Sequence, residues 1–227
     1  MDLSFLVVAG GSGTRMQTPV PKQFLELKGK AVLMHTLQAV AKAAPAAEIV
    51  LVLPPDSINY WNELCSRYHF GISHRIVAGG ASRFESVRNG LSPGLQSTGI
   101  AIHDGVRPFL SPELLQRLYQ GMIQYGNAIP VIPLSDSVRE ITANGSRPAD
   151  RSRLFTVQTP QLFNTAQITQ AYMQVRDSGF TDDAGLFEAA GHAIHLVEGD
   201  RSNIKITSPE DFRFAAFLLR EKETGSL

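Results

Sequence analysis

The stretch Val8-Ala9-Gly10-Gly11-Ser12-Gly13-Thr14-Arg15-Met16 follows an apolar run and leads into Pro19-Val20-Pro21-Lys22-Gln23-Phe24. Glycine-rich turns behind a strand point several backbone N–H groups at one anion, usually a phosphate. Two familiar phosphate loops do not fit. A P-loop needs a Lys and a hydroxyl after its second glycine, and no Lys follows these glycines directly. A dinucleotide fingerprint counted from Gly11 needs glycine where Met16 stands. What remains is an anion cradle flanked by Arg15, a planar fork of donors, and Lys22, a mobile point charge. Pro19 and Pro21 stiffen the loop between them and lower the entropy lost when it orders. Two cations over such a cradle suit a phosphoryl centre that gains negative charge during reaction.

Other chemistry-bearing clusters also follow apolar runs. They are Gly79-Gly80-Ala81 with Ser86, His103-Asp104-Gly105-Val106-Arg107, and Asn203-Ile204-Lys205. The runs themselves read as strands: Leu3–Ala9, Ile49–Leu53, Arg75–Ala78, Ile100–His103, Ala128–Pro133 and Ala193–Val197. Between them, Leu33, Leu37, Val40, Ala41 and Ala44 recur at a helical period, as do Phe84, Val87 and Leu91. Ser57–Tyr68, Thr165–Arg176 and Asp182–His192 also read as helices. Ser111-Pro112 and Ser208-Pro209 are helix starts, with a capping Ser and a Pro at the first helical position. Short apolar strands alternating with helices predict an α/β fold: three Rossmann-like layers around a mostly parallel sheet. Ligands of such sheets bind at the carboxyl ends of the strands. The clusters therefore converge on one edge.

The alternation breaks over about 134–158, which is polar and turn-rich. Val138–Thr142 and Leu154–Gln158 are expected to pair as a hairpin arm. Its apolar surface is too small for independent stability, so it is expected to pack on a second copy of the chain. One domain over 1–227 carries this arm.

Composition narrows the partners. Of 227 residues, 43% are hydrophobic and 19% charged, with zero formal net charge. That balance argues against a nucleic-acid surface or an anionic-membrane patch. No segment reaches the roughly 20 apolar residues of a membrane span, and the opening residues do not read as a signal peptide. The single cysteine, Cys65, reads as a packing residue and points to a reducing, cytoplasmic setting.

Taken in order, "AGGSGTRM" with "PKQF", "GGASRFESVRNGL", "HDGVRPF", "VQTPQLF", "TDDA" and "VEGDRSNIKITSPEDF" resemble the 2-C-methyl-D-erythritol 4-phosphate cytidylyltransferase family over nearly the whole chain. That family lies within a superfamily of sugar-nucleotide pyrophosphorylases and cytidylyltransferases. The resemblance implies transfer of CMP from CTP to 2-C-methyl-D-erythritol 4-phosphate in the non-mevalonate isoprenoid pathway. The products are 4-diphosphocytidyl-2-C-methyl-D-erythritol and pyrophosphate, with Mg²⁺ spanning the triphosphate and a homodimer joined by the arm. It implies Arg15 and Lys22 as transition-state stabilisers, and Arg151 and Lys205 as holders of the polyol phosphate. Ala9, Gly10, Gly11, Gly13, Thr14, Gly80, Ala81, Ser86 and Asp104 would bind the nucleotide, Asp104 being the candidate metal ligand. Arg107, Ser137, Thr159 and Thr181 would bind the second substrate. Competing structural readings exist for several residues. The alternatives are an internal Asp104–Arg107 ion pair, Thr181 as a helix cap, and a solvent-facing Ser86. Ala81 and Gly105 depart from the family's usual Asp and Ala, and Ser137 from its usual Thr. A ribitol-5-phosphate cytidylyltransferase fits the glycine loop nearly as well. A non-catalytic nucleotide-binding regulator would have lost the cations around the cradle.

Overall fold

A computed structural model of the protein describes residues 1–10, 20–91, 94–176 and 179–224. Arg15, Gly11, Gly13 and Thr14 lie outside the described residues. The first part of the chain runs β1 (Leu3–Val8), β2 (Glu26–Leu27), β3 (Lys30–Ala31), α1 (Val32–Ala43), β4 (Glu48–Leu53), α2 (Ile58–Arg67), β5 (Arg75–Ala78), α3 (Arg83–Leu91) and β6 (Gly99–Asp104). It continues with α4 (Pro112–Tyr125), β7 (Asn127–Pro133), β8 (Val138–Thr142), β9 (Gly145–Ala149), β10 (Phe155–Val157), β11 (Gln161–Asn164), α5 (Thr165–Gln174), α6 (Asp183–Ala189), β12 (Leu196–Glu198) and α7 (Pro209–Thr224). Among the described residues no helix is long and apolar enough to cross a membrane.

The main sheet is ordered β10-β7-β11-β6-β1-β4-β5, with β12 on β7. The half formed by β6, β1, β4 and β5 is parallel throughout. Strand side chains alternate between faces, and the sequence uses both. Phe5 and Val7 of β1 pack with Leu33 and Leu37 of α1, Trp61 of α2 and Leu115 and Leu118 of α4. Leu6 faces the other way, onto Phe84 and Val87 of α3, Ile168 of α5 and Phe187 of α6. Phe5 and Leu6 are both fully buried, each stabilising the fold by about 1.5–3 kcal/mol. This is the three-layer arrangement expected of continuous apolar strands. Beside it, α7 covers Val106 and Phe109 with Ala215 and Leu218.

The caps follow the sequence closely. Ser111 Oγ accepts the Leu114 N–H at 3.2 Å, and Pro112 sits at the start of α4. Ser208 Oγ accepts from Asp211 N–H at 3.2 Å at the start of α7. For α6 the cap is Asp182, whose carboxylate accepts the Gly185 N–H at 3.1 Å, not Thr181. Cys65 packs against the core, and burial pushes its thiol up to about 11.

The arm departs from expectation in its pairing. Val138–Thr142 pairs with Gly145–Ala149, from Val138 opposite Ala149 to Thr142 opposite Gly145. The two-residue link Ala143-Asn144 closes this hairpin locally, with Gly145 at φ 134° just after it. Phe155–Val157 instead joins the main sheet, antiparallel to Val131–Pro133 of β7. The sheet edge offers that segment a full ladder, which outcompetes the longer turn. The strand β11 was not anticipated; it runs antiparallel between β6 and β7.

Candidate active site

Parallel registry brings the loops together. Val8 lies opposite both Val52 and Asp104, and Leu53 lies opposite Ala78. The chain leaves each strand at the same edge, and backbone bonds extend the alignment. Ala9 N–H donates to Val52 O at 3.0 Å, Gly79 N–H to Leu53 O at 2.8 Å, and Gly105 N–H to Val8 O at 2.8 Å. Gly105 is tight: a Cβ there would lie 2.7 Å from Ala9 Cβ. Its departure from alanine thus has a local steric reason.

Two hollows open at this edge. The first, about 230 Å³, is lined by Ala9, Gly10, Lys22, Gly80, Ala81, Ser86, Asp104 and Lys205 among the expected residues. The second, about 220 Å³, is lined by Asp104, Arg107, Thr159, Thr181 and Lys205. Asp104, Lys205 and Arg83 line both, so three charged side chains stand at the seam. Ser137 and Arg151 are exposed on the arm, outside both hollows; Arg151 Nη1 donates to the Ser135 carbonyl.

The seam is an ion network. Asp104 Oδ2 receives Lys205 Nζ at 3.0 Å and Arg107 Nε at 3.2 Å. Burial opposes ionisation of Asp104, but Lys205, Arg107 and Arg83 outweigh it and hold the carboxyl below the usual range. Arg107 also donates through Nη1 to Asn203 O at 2.9 Å. The Asp104–Arg107 pair expected from the spacing is therefore present, and it orders the loop ahead of Lys205.

Behind the seam, His103 is fully buried. Its Nε2 lies 3.1 Å from the Arg107 carbonyl, which can only accept, so this nitrogen carries the proton. Its Nδ1 then accepts from the Thr159 hydroxyl at 3.1 Å, and Thr159 Oγ1 accepts the Asp104 N–H at 3.0 Å. Burial lowers the imidazole to about 4. His103 is neutral at pH 7, which fits a hydrogen-bonding role rather than that of a base. Thr159 faces the second hollow while much of its hydrogen-bonding capacity is spent on this chain.

Lys22 rides on a single 3₁₀ turn, Lys22–Phe24. Phe24 anchors that turn against Tyr60 and Trp61, with ring centroids 5.3 and 6.3 Å away. Gln23 is buried and donates through Nε2 to Ala9 O at 2.9 Å. The turn bearing Lys22 is thereby tied to the strand end that lines the first hollow. Sequence reasoning passed over Gln23; an amide between a Lys and a buried Phe is its only local signal.

It also passed over Arg83. Its guanidinium grips Asp183 through two bonds, 2.9 and 2.5 Å, and Tyr172 donates to the same carboxylate at 2.6 Å. Asp183 is 0% exposed. Burial alone would weaken the charge on Arg83, and the Asp183 carboxylate more than restores it. Burial and Asp183 raise the Tyr172 hydroxyl, keeping it a donor. The pair joins the start of α3 to the start of α6. Ser86, expected to read a base or face solvent, is buried with its Oγ accepting the Gly80 N–H at 3.1 Å.

Comparison with known proteins places this geometry. A family model described as "IspD: 2-C-methyl-D-erythritol 4-phosphate cytidylyltransferase" matches residues 3–221. The 2-C-methyl-D-erythritol 4-phosphate cytidylyltransferase of Bacteroides thetaiotaomicron is 44% identical over 223 residues, covering 96% of this chain and all of that protein. The Porphyromonas gingivalis protein of the same name is 46% identical over 215 residues, covering 94% and 96%. Among solved structures, 4-diphosphocytidyl-2C-methyl-D-erythritol synthase from Anaerococcus prevotii superposes with a TM-score of 0.80 at 31% identity, covering 96% of this chain and 98% of that one. The Thermus thermophilus 2-C-methyl-D-erythritol 4-phosphate cytidylyltransferase gives 0.77 at 30% identity, covering 95% and 98%.

Proposed function

Because this chain belongs to the 2-C-methyl-D-erythritol 4-phosphate cytidylyltransferase family, we propose that its two hollows receive CTP and the polyol phosphate and that the charged seam between them is where the substrates react. The chain is a cytidylyltransferase, a nucleotidyltransferase that makes 4-diphosphocytidyl-2-C-methyl-D-erythritol and pyrophosphate. The family match favours methylerythritol phosphate over ribitol 5-phosphate as the acceptor.

An oxygen of the substrate phosphate forms a bond to the α-phosphorus of CTP. The bond from that phosphorus to the bridging oxygen breaks, and pyrophosphate leaves with the electron pair. The second pKa of a phosphate monoester is about 6, so the attacking oxygen needs no base at neutral pH, in keeping with a neutral His103. The protein's task is positioning and charge stabilisation. The glycine turn holds the triphosphate, with Arg15 and Lys22 at the reacting phosphorus. Lys205 holds the incoming phosphate, beside Thr181 and Thr159. Gly80, Ser86 and the backbone of Ala9 and Gly10 enclose the base, with Ala81 contributing only main-chain groups.

Asp104 fits a divalent cation, since it is an ionised carboxylate facing the first hollow. Among the described residues no group of three or more His, Cys, Asp or Glu could hold a metal, so Asp104 is the residue that would contribute to holding Mg²⁺. Once bound it would supply charge neutralisation across the triphosphate.

The arm supports a homodimer. Ile141 is 82% exposed, and Leu154, Phe155 and Val157 of the neighbouring segment are exposed too. A second copy would cover them and bring Ser137 and Arg151 to the partner's second hollow. The unpaired Cys65 accords with a cytoplasmic enzyme.

The observation that carries this reading is the shared lining of two adjacent hollows by Asp104 and Lys205, with Lys22 in the first. Lys22→Ala tests it. Turnover should fall about 10²–10³-fold while CTP affinity, measured by calorimetry, changes far less. Equal losses of both would remove Lys22 from the transition state.

A further inference from the structure

The loop Gly79-Gly80-Ala81 lies between β5 and α3 and lines the first hollow through Gly80 and Ala81. Its two inner N–H groups are both taken by α3. Gly80 N–H donates to Ser86 Oγ at 3.1 Å, and Ala81 N–H donates to Glu85 Oε2 at 2.7 Å. Glu85 is itself fixed, its own N–H donating to Ser82 Oγ at 3.1 Å. This resembles a capping box, with the carboxylate reaching back one residue further than usual. Close packing holds it there: a Cβ on Gly80 would collide with Glu85 Cβ, and would meet its carboxylate oxygen at 2.8 Å. Among the described residues nothing donates to the Gly80 carbonyl.

The loop therefore has spent its donors and kept an acceptor. Pyrimidines differ in what they ask of such a loop. Cytosine presents an amino donor at C4 and a bare acceptor at N3. Uracil presents an acceptor at C4 and an N–H at N3. A backbone stripped of donors and offering a carbonyl satisfies the cytosine amino group and leaves uracil's C4 oxygen without a partner, and an unmet buried polar group is costly. The Ser86 hydroxyl accepts from Gly80, which leaves its own hydrogen available for an acceptor on the base.

We propose that Glu85 is a specificity-determining residue for the nucleotide: by occupying the Ala81 N–H it makes the loop select an amino-bearing pyrimidine over a carbonyl-bearing one. Glu85 acts through the loop, as a positioning residue. The proposal rests on CTP occupying the first hollow.

The test compares CTP with UTP in pyrophosphate release, with saturating methylerythritol phosphate, for the full-length wild type, Glu85→Ala and Glu85→Gln. Glu85→Ala frees a donor. The CTP-to-UTP ratio of kcat/KM should fall about tenfold, the worth of roughly one hydrogen bond. Glu85→Gln keeps an acceptor oxygen for the Ala81 N–H, and its ratio should stay within about twofold of wild type. A merely structural role at the helix start would lower Tm and slow both nucleotides alike, leaving the ratio unmoved. An unchanged ratio in Glu85→Ala overturns the proposal, as does a ratio that falls equally in Glu85→Gln. If wild type itself does not consume CTP with methylerythritol phosphate, the functional reading fails instead, and the two failures are told apart.

Discussion

Lys205 Nζ sits 3.0 Å from Asp104 Oδ2 at the boundary of the two hollows. The carboxylate is nearly buried, whereas the lysine side chain is 41% exposed. Asp104 is thus a buried counter-ion to a partly exposed cation at the seam. Arg107 holds the same oxygen from the protein side, so the lysine can leave without stranding the carboxylate.

Removing that cation should harm catalysis more than folding. Lys205→Ala is expected to lower kcat/KM for the polyol phosphate by about 10²–10³. CTP affinity should change only a few-fold and thermal stability little, because Arg107 still pairs with the buried Asp104 carboxylate once the lysine is gone. Initial rates of pyrophosphate release, with calorimetric binding of CTP, separate these effects. Matching losses for both substrates would place Lys205 in general electrostatics rather than in the second hollow.

Arg83 should behave in the opposite way. Asp183 is wholly buried, and its partners are Arg83 and Tyr172. Arg83→Ala leaves that carboxylate without its countercharge, so stability should drop by about 3–5 kcal/mol. Adding Asp183→Asn should recover part of it, because the stranded charge is then gone. Urea unfolding of the single and double variants checks this. A single variant as stable as wild type would show that the pair contributes nothing net.

His103 gives a pH dependence with a definite sign. In the unfolded chain an imidazole titrates near 6.5, whereas burial lowers it to about 4 in the fold. Above roughly 6.5 both states are neutral and His103 contributes nothing to the slope. Below that the unfolded state takes up a proton that the folded state refuses. Stability is therefore lost as pH falls from about 6.5 to 4, up to about 3 kcal/mol from this residue. His103→Gln keeps a donor for Arg107 and an acceptor for Thr159 without the titration. Its unfolding free energy should decline less steeply over that interval by close to one proton. Parallel slopes would contradict the assignment.

The arm's proposed role predicts complementation. A mixture refolded from Arg151→Ala and Lys22→Ala chains should regain activity above either variant alone, since some mixed dimers carry one intact composite site. No recovery would argue that each chain completes its own site.

Much of this layout was legible in the sequence because it is local. Apolar runs ending in Gly10, Gly80 and Asp104 mark strand ends, and parallel pairing then forces them to one edge. The caps at Ser111 and Ser208 are equally local. What escaped was long-range or competitive. Arg83 and Asp183 meet across a hundred positions, and nothing near either residue signals the other. The hint is a charge placed beside Ala184, Leu186 and Phe187, which are core residues. The arm was mispaired because Gly145–Ala149, with its Gly, Ser and Pro, reads as turn and so hides the nearer partner of Val138–Thr142. The tight link Ala143-Asn144 decided for that partner, and the sheet edge at β7 claimed Phe155–Val157. Asp182 displaced Thr181 as the cap because both precede the same helix and either side chain can cap it, so one residue of offset is not legible locally.

The most direct measurement is CTP-dependent pyrophosphate release with 2-C-methyl-D-erythritol 4-phosphate and ribitol 5-phosphate side by side, at equal enzyme and magnesium. Faster release with methylerythritol phosphate, and a CDP-linked methylerythritol as its product, is the predicted result. Faster release with ribitol phosphate, or none with either acceptor, would contradict the account.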